Sequence, residues 1–291
     1  MKRREFIKKT GAIGAAAVAV AGMAGKLGAA VAAPKALPSI KLGNLEVSRF
    51  ILGSNPFWGY SHKGPKLDEE MKTFYTDEKI IEVLNEAAAN GVTAIASPPE
   101  ERWINLYKKY LDNGGALKIW IGQCHGPADQ MEQEIDRAVK GGAKAIFIQG
   151  GRVEEQYGQK KLDVLRGWVE RIKGHGLPSG MAAHWPEILP ECEEKGFPTD
   201  FYYQCFYCVS KGETYREEER TRAVEAIKKI DKKPVVAYKI LGAGRLTPDK
   251  GFEFAAEHIR RKDGVCVGIY AKDAILQIRE NAILTEQLLS K

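Results

Sequence analysis

From Val47 onward, short runs rich in β-branched residues alternate with longer stretches of helical periodicity, and the alternation repeats eight times. The predicted strands are 49–53, 93–97, 118–123, 145–149, 179–184, 201–205, 235–240 and 265–269. Between and after them the predicted helices run over 77–90, 101–113, 128–140, 160–174, 186–195, 215–230, 247–261 and 272–289. Parallel strands joined by helices are connected right-handedly, and eight such units close on themselves with the helices outside. The pattern therefore predicts a (β/α)8 TIM barrel, α/β in class, over residues 34–291, a length usual for one such domain. An open doubly wound sheet is the alternative. It would place a GxGxxG turn after an early strand, whereas the glycine-rich piece Gly242-Ala243-Gly244 follows the seventh strand. Glycine stands where helices should stop, in Asn90-Gly91, Asn113-Gly114 and Lys195-Gly196, and Asp77 and Thr247 are candidate N-caps.

The first 33 residues follow other rules. A basic head is followed by an Ala/Gly/Val stretch and then by small residues, the order of a leader peptide. Residues 2–8, KRREFIK, resemble a twin-arginine export signal, with Arg3 and Arg4 as the pair. That resemblance implies the twin-arginine export machinery as a partner, folding before export, and a periplasmic or extracytoplasmic destination. Ala30-Val31-Ala32 has the small-x-small form of a cleavage site. A retained anchor is the alternative, but five glycines and Lys26 make the stretch short and weakly apolar for a span, so no permanent membrane span is expected. The formal charge of +6 owes most to this segment, where Lys2, Arg3, Arg4, Lys8, Lys9 and Lys26 face Glu5 alone. Removing it leaves a charge near +1, with no basic run suited to phosphate contacts, so nucleic acid is not an expected partner. Five cysteines are too few and too dispersed for a disulfide scaffold at this length.

Three segments carry a resemblance to a known family. IKLGNLEVSRFILGSNPF forms a hairpin around Gly43-Asn44 and then a strand; PVVAYKILGAGRLTP gives a seventh strand with a glycine-rich loop; VGIYAKDAILQIREN gives an eighth strand and last helix. In order and spacing these resemble the aldo-keto reductase superfamily over about Leu42 to Asn281. The resemblance implies an N-terminal hairpin under the barrel and NADP or NAD across its mouth. It implies Gly242, Gly244 and Arg245 at the pyrophosphate, Lys272 at a 2′-phosphate, and Glu280 and Asn281 at the adenine. Gln277 stands where that family would carry a basic residue. The family's Asp, Tyr, Lys and His proton-donor set has no counterpart: the second strand is followed by Pro98-Pro99-Glu100, the third ends Gln123-Cys124-His125, and the fourth ends Gln149-Gly150-Gly151. Carbonyl reduction needs a proton donor of suitable acidity, so that chemistry does not follow from the resemblance.

The strand ends supply another polar set: Asn55, Ser97, Glu100, Gln123, Cys124, His125, Gln149, His184, Gln204, Cys205, Tyr207, Cys208 and Lys239. In a barrel these converge on one mouth. His125 and His184 are candidate general acids or bases. Lys239 is either a Schiff-base or proton-transfer residue or a counter-ion for a phosphate or carboxylate. Glu100 is either an acid-base group or the start of its helix. No metal is assigned; Cys205 and Cys208 have CxxC spacing but no second such pair accompanies them. The long segment 54–76, rich in aromatic and polar residues, is either a lid over the mouth or a packed excursion. Three expectations follow: an exported oxidoreductase with non-standard catalytic residues, a lyase, isomerase or hydrolase acting on a small polar, sugar-like substrate, or a small-molecule-binding barrel without chemistry.

Overall fold

The computed structural model describes residues 36–207, 220–270 and 274–290. Eight parallel strands close into a barrel: β3 (Phe50–Gly53), β4 (Ala94–Ser97), β5 (Ile119–Cys124), β6 (Ala145–Ile148), β7 (Ser179–Ala183), β8 (Phe201–Cys205), β9 (Val235–Tyr238) and β10 (Gly264–Gly268). Each pairs with its neighbours in chain order, and β10 closes the ring against β3 through Val265 opposite Phe50 and Cys266 opposite Ile51. The open-sheet alternative is excluded. An antiparallel hairpin, β1 (Ser39–Leu42) and β2 (Leu45–Ser48), precedes the ring and turns at Gly43 with φ +64°. Its apolar side chains Ile40, Leu42 and Val47 join the cluster formed by the barrel interior.

The helices are α1 (Pro65–Phe74), α2 (Asp77–Ala89), α3 (Glu101–Asp112), α4 (Met131–Lys140), α5 (Gly150–Gly158), α6 (Leu162–Gly174), α7 (Ile188–Glu194), α8 (Arg220–Lys229), α9 (Pro248–His258) and α10 (Ala274–Leu289). Most of the predicted elements are present with ends shifted by a few residues. Two were not anticipated. The excursion 54–76 is built, not loose: a 3-10 turn at Asn55–Trp58 leads into α1, which Pro65 starts. The fourth strand is followed by two helices, because α5 opens on Gly150-Gly151, residues whose weak helix propensity hides it from a pattern search. The predicted start of the helix at Tyr215, together with Lys272, Cys208 and the leader through Ala33, lies outside the described residues.

Inside the ring small residues face large ones. Ala94, Ala96, Ala145 and Ala182 leave room for Phe147 and Tyr203, whose rings stack at 4.2 Å and 7°. Strands covered on both faces are apolar throughout, as β3 and β6 are. The hairpin fills one end of this cylinder, so the cavity lies at the other, where the strands end. Among the described residues no helix is long and apolar enough to cross a membrane.

Candidate active site

The residues that follow the strands surround a cavity of about 610 Å³. Phe147, Ala182 and Tyr203 line it from within the barrel, and one wall comes from Tyr60 to Lys63, Leu67 and Met71 of the excursion after β3. Asn55, Gln123, His125, Gln149, His184 and Lys239 all line it, as the strand-end reading expects. Ser97, Glu100, Cys124, Gln204, Cys205 and Tyr207 do not. Gln204 instead donates to the carbonyls of Ala183 and His184, 3.4 and 3.3 Å away, and so braces the end of β7.

Both histidines are backed by carboxylates. His184 follows β7, and its Nδ1 lies 3.0 Å from Oε1 of Glu154 on α5. The same oxygen accepts the His184 backbone N–H at 2.6 Å. A carboxylate at Nδ1 keeps the proton on that nitrogen, so Nε2 carries the lone pair. Nε2 lies 3.2 Å from Nζ of Lys239, giving a chain Glu154–His184–Lys239. The ring packs edge-on to Tyr238 at 5.6 Å. Gly150 leaves room here: a Cβ on it would make tight contacts, 3.1 Å from His184 Nδ1 and 3.2 Å from Tyr238 Oη.

His125 follows β5 in the same manner. Its Nδ1 lies 2.9 Å from Oε1 of Glu134 on α4, and its backbone N–H and that of Gly126 donate to Oε2. Arg152 Nε donates to the His125 carbonyl at 2.8 Å, tying α5 to the site. The Glu134 hydrogen bond raises the His125 pKa from 6.5 against the opposing effect of burial. Burial would raise Glu134, but the bonds from His125 and Gly126 prevail and hold it below 4.5. The signs define a window. His125 stabilises the fold fully below its unfolded value of 6.5 and loses that contribution as pH rises through its raised folded value; Glu134 contributes above 4.5 and loses it as pH falls through its lowered one. The urea-midpoint difference between the native chain and Glu134→Gln is therefore expected to peak between pH 4.5 and 6.5 and to shrink on either side. A flat difference from pH 4 to 9 would discard this coupling.

Glu100 occupies the N-cap position of α3 and is half exposed; its Oε1 is 3.5 Å from His125 Nε2, so the structure brings it to the histidine but not into the cavity wall. Cys266 lines the cavity as a thiol, since burial pushes its pKa up to about 12. Among the described residues no group of three or more His, Cys, Asp or Glu is arranged to hold a metal ion.

The glycine-rich loop after β9 bonds to itself and to the excursion after β3. Gly242, Ala243 and Gly244 are left-handed at φ 53°, 53° and 74°. The Gly242 N–H donates to the Lys239 carbonyl, and the Arg245 N–H to that of Leu241. Arg245 Nη1 donates to the Gly242 carbonyl and Nη2 to that of His62, while Lys63 Nζ donates to the Gly244 carbonyl at 3.0 Å. The excursion after β3 is thus bonded to the loop after β9. Gly244 lines the cavity, Glu280 is half-buried, and Asn281 is 1% exposed inside the packing of α10. Within this arrangement the Gly242 and Arg245 N–H groups and the Arg245 guanidinium bond inside the protein, and Asn281 is enclosed.

Glu134 and Glu154 are the residues that a reading of strand ends passes over. Glu134 had a signal: Met131, Glu134, Ile135 and Ala138 form the buried stripe of α4, and an acid on an apolar stripe needs a partner. Glu154 had none, because the helix carrying it was itself hidden.

No protein-family profile matches this sequence, and no curated protein matches it. Solved structures do. A Pseudomonas aeruginosa protein described as "the putative aldo-keto reductase" superposes with TM-score 0.61 and 16% identity over 89% of this chain and 99% of that one. A truncated 3-deoxy-D-arabino-heptulosonate 7-phosphate synthase from Thermotoga maritima gives 0.53 and 13% over 87% and 92%. Mandelate oxidase gives 0.52 and 12% over 87% and 76%. At such identities the likeness establishes the (β/α)8 fold and nothing finer.

Proposed function

We propose that this protein is a proton-transfer enzyme, of the isomerase or lyase kind, acting on a small polar compound with hydroxyl and carbonyl groups. One observation carries the reading: two histidines at strand ends of the same cavity, each held at Nδ1 by a carboxylate from an adjacent helix. An imidazole so held favours one tautomer, and at His184 this leaves Nε2 for proton exchange. Lys239 beside His184 is placed to neutralise an oxyanion developing on the substrate. Tyr203 and Asn55 add hydrogen-bonding groups to a wall that is otherwise largely apolar.

The test uses the full chain, incubated in D2O with glycolaldehyde, dihydroxyacetone, glyceraldehyde and common aldoses, with deuterium uptake next to the carbonyl followed by NMR. Faster uptake than in buffer is expected for at least one compound, and it should fall in His125→Ala and His184→Ala. Uptake unchanged in the variant lacking both histidines would reject the reading.

An aldo-keto-reductase-like oxidoreductase using NADP or NAD is the second reading, favoured by the barrel likeness to the Pseudomonas protein. It would draw on the loop at Gly242–Arg245, whose Gly242 and Arg245 N–H groups bond within the loop. Titration with NADPH or NADH to millimolar concentration is expected to leave tryptophan fluorescence without a saturable change; a saturable quench would restore this reading. We further propose, from the leader, that the chain is exported by the twin-arginine machinery. The exported protein should begin close after Ala32.

A further inference from the structure

Lys239 is held in an uncommon way. It directly follows β9 and has φ +56°, a left-handed value that an unbranched lysine adopts only where its surroundings impose it. Its carbonyl accepts the Gly242 N–H that closes the following turn. Its Nζ lies 3.2 Å from a nitrogen base, His184 Nε2, whose second nitrogen is fixed by Glu154. Both residues line the cavity. Tyr203 lines it too, is 2% exposed, and has a hydroxyl with no hydrogen-bond partner; burial raises its pKa well above 10.0, so it remains a donor. A buried donor without a partner is a place for a ligand oxygen.

We propose that Lys239 is a catalytic nucleophile that captures the carbonyl carbon of a small aldehyde or ketone as an iminium. This rests on the proton-transfer reading of the cavity and names the bond through which the substrate is activated. In the first step His184 Nε2 removes a proton from the Lys239 ammonium, and the freed lone pair forms the C–N bond. The carbonyl π pair moves to oxygen, which takes the second proton from the now-cationic nitrogen and becomes the carbinolamine hydroxyl. The His184 imidazolium then returns the first proton to that hydroxyl, and water leaves as the nitrogen lone pair forms the C=N bond. Overall, one ammonium and one carbonyl give one iminium and one water, with charge and protons conserved and no co-reactant. The iminium then draws electrons from the neighbouring C–H or C–C bond, the bond that an isomerase or lyase must break. A carbonyl in this cavity therefore need not meet a metal or a hydride donor to be activated.

The test traps the iminium. The full chain is incubated at pH 7 with glycolaldehyde, dihydroxyacetone or pyruvate in the presence of sodium cyanoborohydride, and adducts are counted by intact mass and located by peptide mapping. A single adduct at Lys239, formed at least tenfold faster than at any other lysine, is expected with at least one probe. Lys239→Arg should remove it, and His184→Asn should slow it about 10–100-fold while leaving the site of attachment unchanged. Adducts spread over surface lysines without preference for Lys239 would overturn the proposal. If Lys239→Arg fails to fold, the map of the native chain still decides, because it reads the attachment site directly. The outcomes separate the two readings: histidine-dependent deuterium uptake without a Lys239 adduct removes the nucleophile and keeps proton transfer, and an adduct without such uptake does the reverse.

Discussion

Replacing Glu154 with Gln is expected to lower histidine-dependent deuterium uptake by roughly 10²–10⁴-fold, as much as His184→Asn, although Glu154 does not line the cavity. The reason lies in which atom holds the proton. Glu154 Oε1 can only accept, so the 3.0 Å contact keeps hydrogen on Nδ1 and the lone pair on Nε2, facing Lys239. A glutamine whose carbonyl oxygen takes that place keeps the His184 amide bond but carries no charge to stabilise the imidazolium that forms when Nε2 takes a proton, and one whose NH2 faces Nδ1 holds the opposite tautomer. Either way the base is weakened while the fold is almost untouched. Glu154 is a positioning residue, and two further readouts distinguish this from simple loosening. The variant should melt within a few degrees of the native chain, and Glu154→Asp should recover part of the rate. A Glu154→Gln rate within threefold of native would remove the Glu154–His184–Lys239 chain from the mechanism.

How much of this was legible in the sequence differs between the walls of the cylinder and its mouth. The eight strands follow from hydrophobic runs too regular to arise otherwise, and β8 spans Phe201–Cys205, the range the sequence predicts. Burial imposes that regularity, because a strand covered on both faces tolerates few polar residues. The histidines and Lys239 were legible for a related reason: polar residues directly after such a run can only stand at its end. Their partners were not. Glu154 sits on a helix that opens with two glycines, and the first of them, Gly150, leaves the space that His184 and Tyr238 crowd. The packing that assembles the site thus erased the sequence pattern that would have disclosed it. The glycine-rich loop after β9 shows a use that the sequence did not disclose. Three consecutive left-handed residues read as an anion cradle, and in the structure Arg245 and Lys63 also use that loop's carbonyls to fasten the wall formed by residues 60–63. Left-handed turns suit both uses, and only the partners of the amides and carbonyls tell them apart.

At the opposite end of the barrel Asp263→Ala is expected to destabilise the fold by about 3–5 kcal/mol, a large share of the roughly 5–15 kcal/mol typical of a domain. Asp263 is 0% exposed and immediately precedes β10. Its Oδ1 accepts the N–H of Val235, the first residue of β9, at 2.8 Å, and its two oxygens together accept the Arg260 N–H, Nε and Nη2 at 2.7–2.8 Å. Its carbonyl accepts from Nε of Arg49, which precedes β3 and whose remaining nitrogens donate to the carbonyls of Arg260 and Leu289. One carboxylate therefore joins the starts of β9 and β10, while Arg49 ties the start of β3 to the end of α10. Alanine would leave the Val235 amide buried without an acceptor and the Arg260 guanidinium without its counter-charge, and the loss of a partner from such a pair exceeds the net worth of the pair itself. Asp263→Asn retains one carbonyl oxygen and should lie between alanine and native. Urea unfolding measures all three, with a lower midpoint and an unchanged slope expected. An Asp263→Ala midpoint equivalent to less than about 1 kcal/mol of destabilisation would show that the ring is closed by its strand ladder alone.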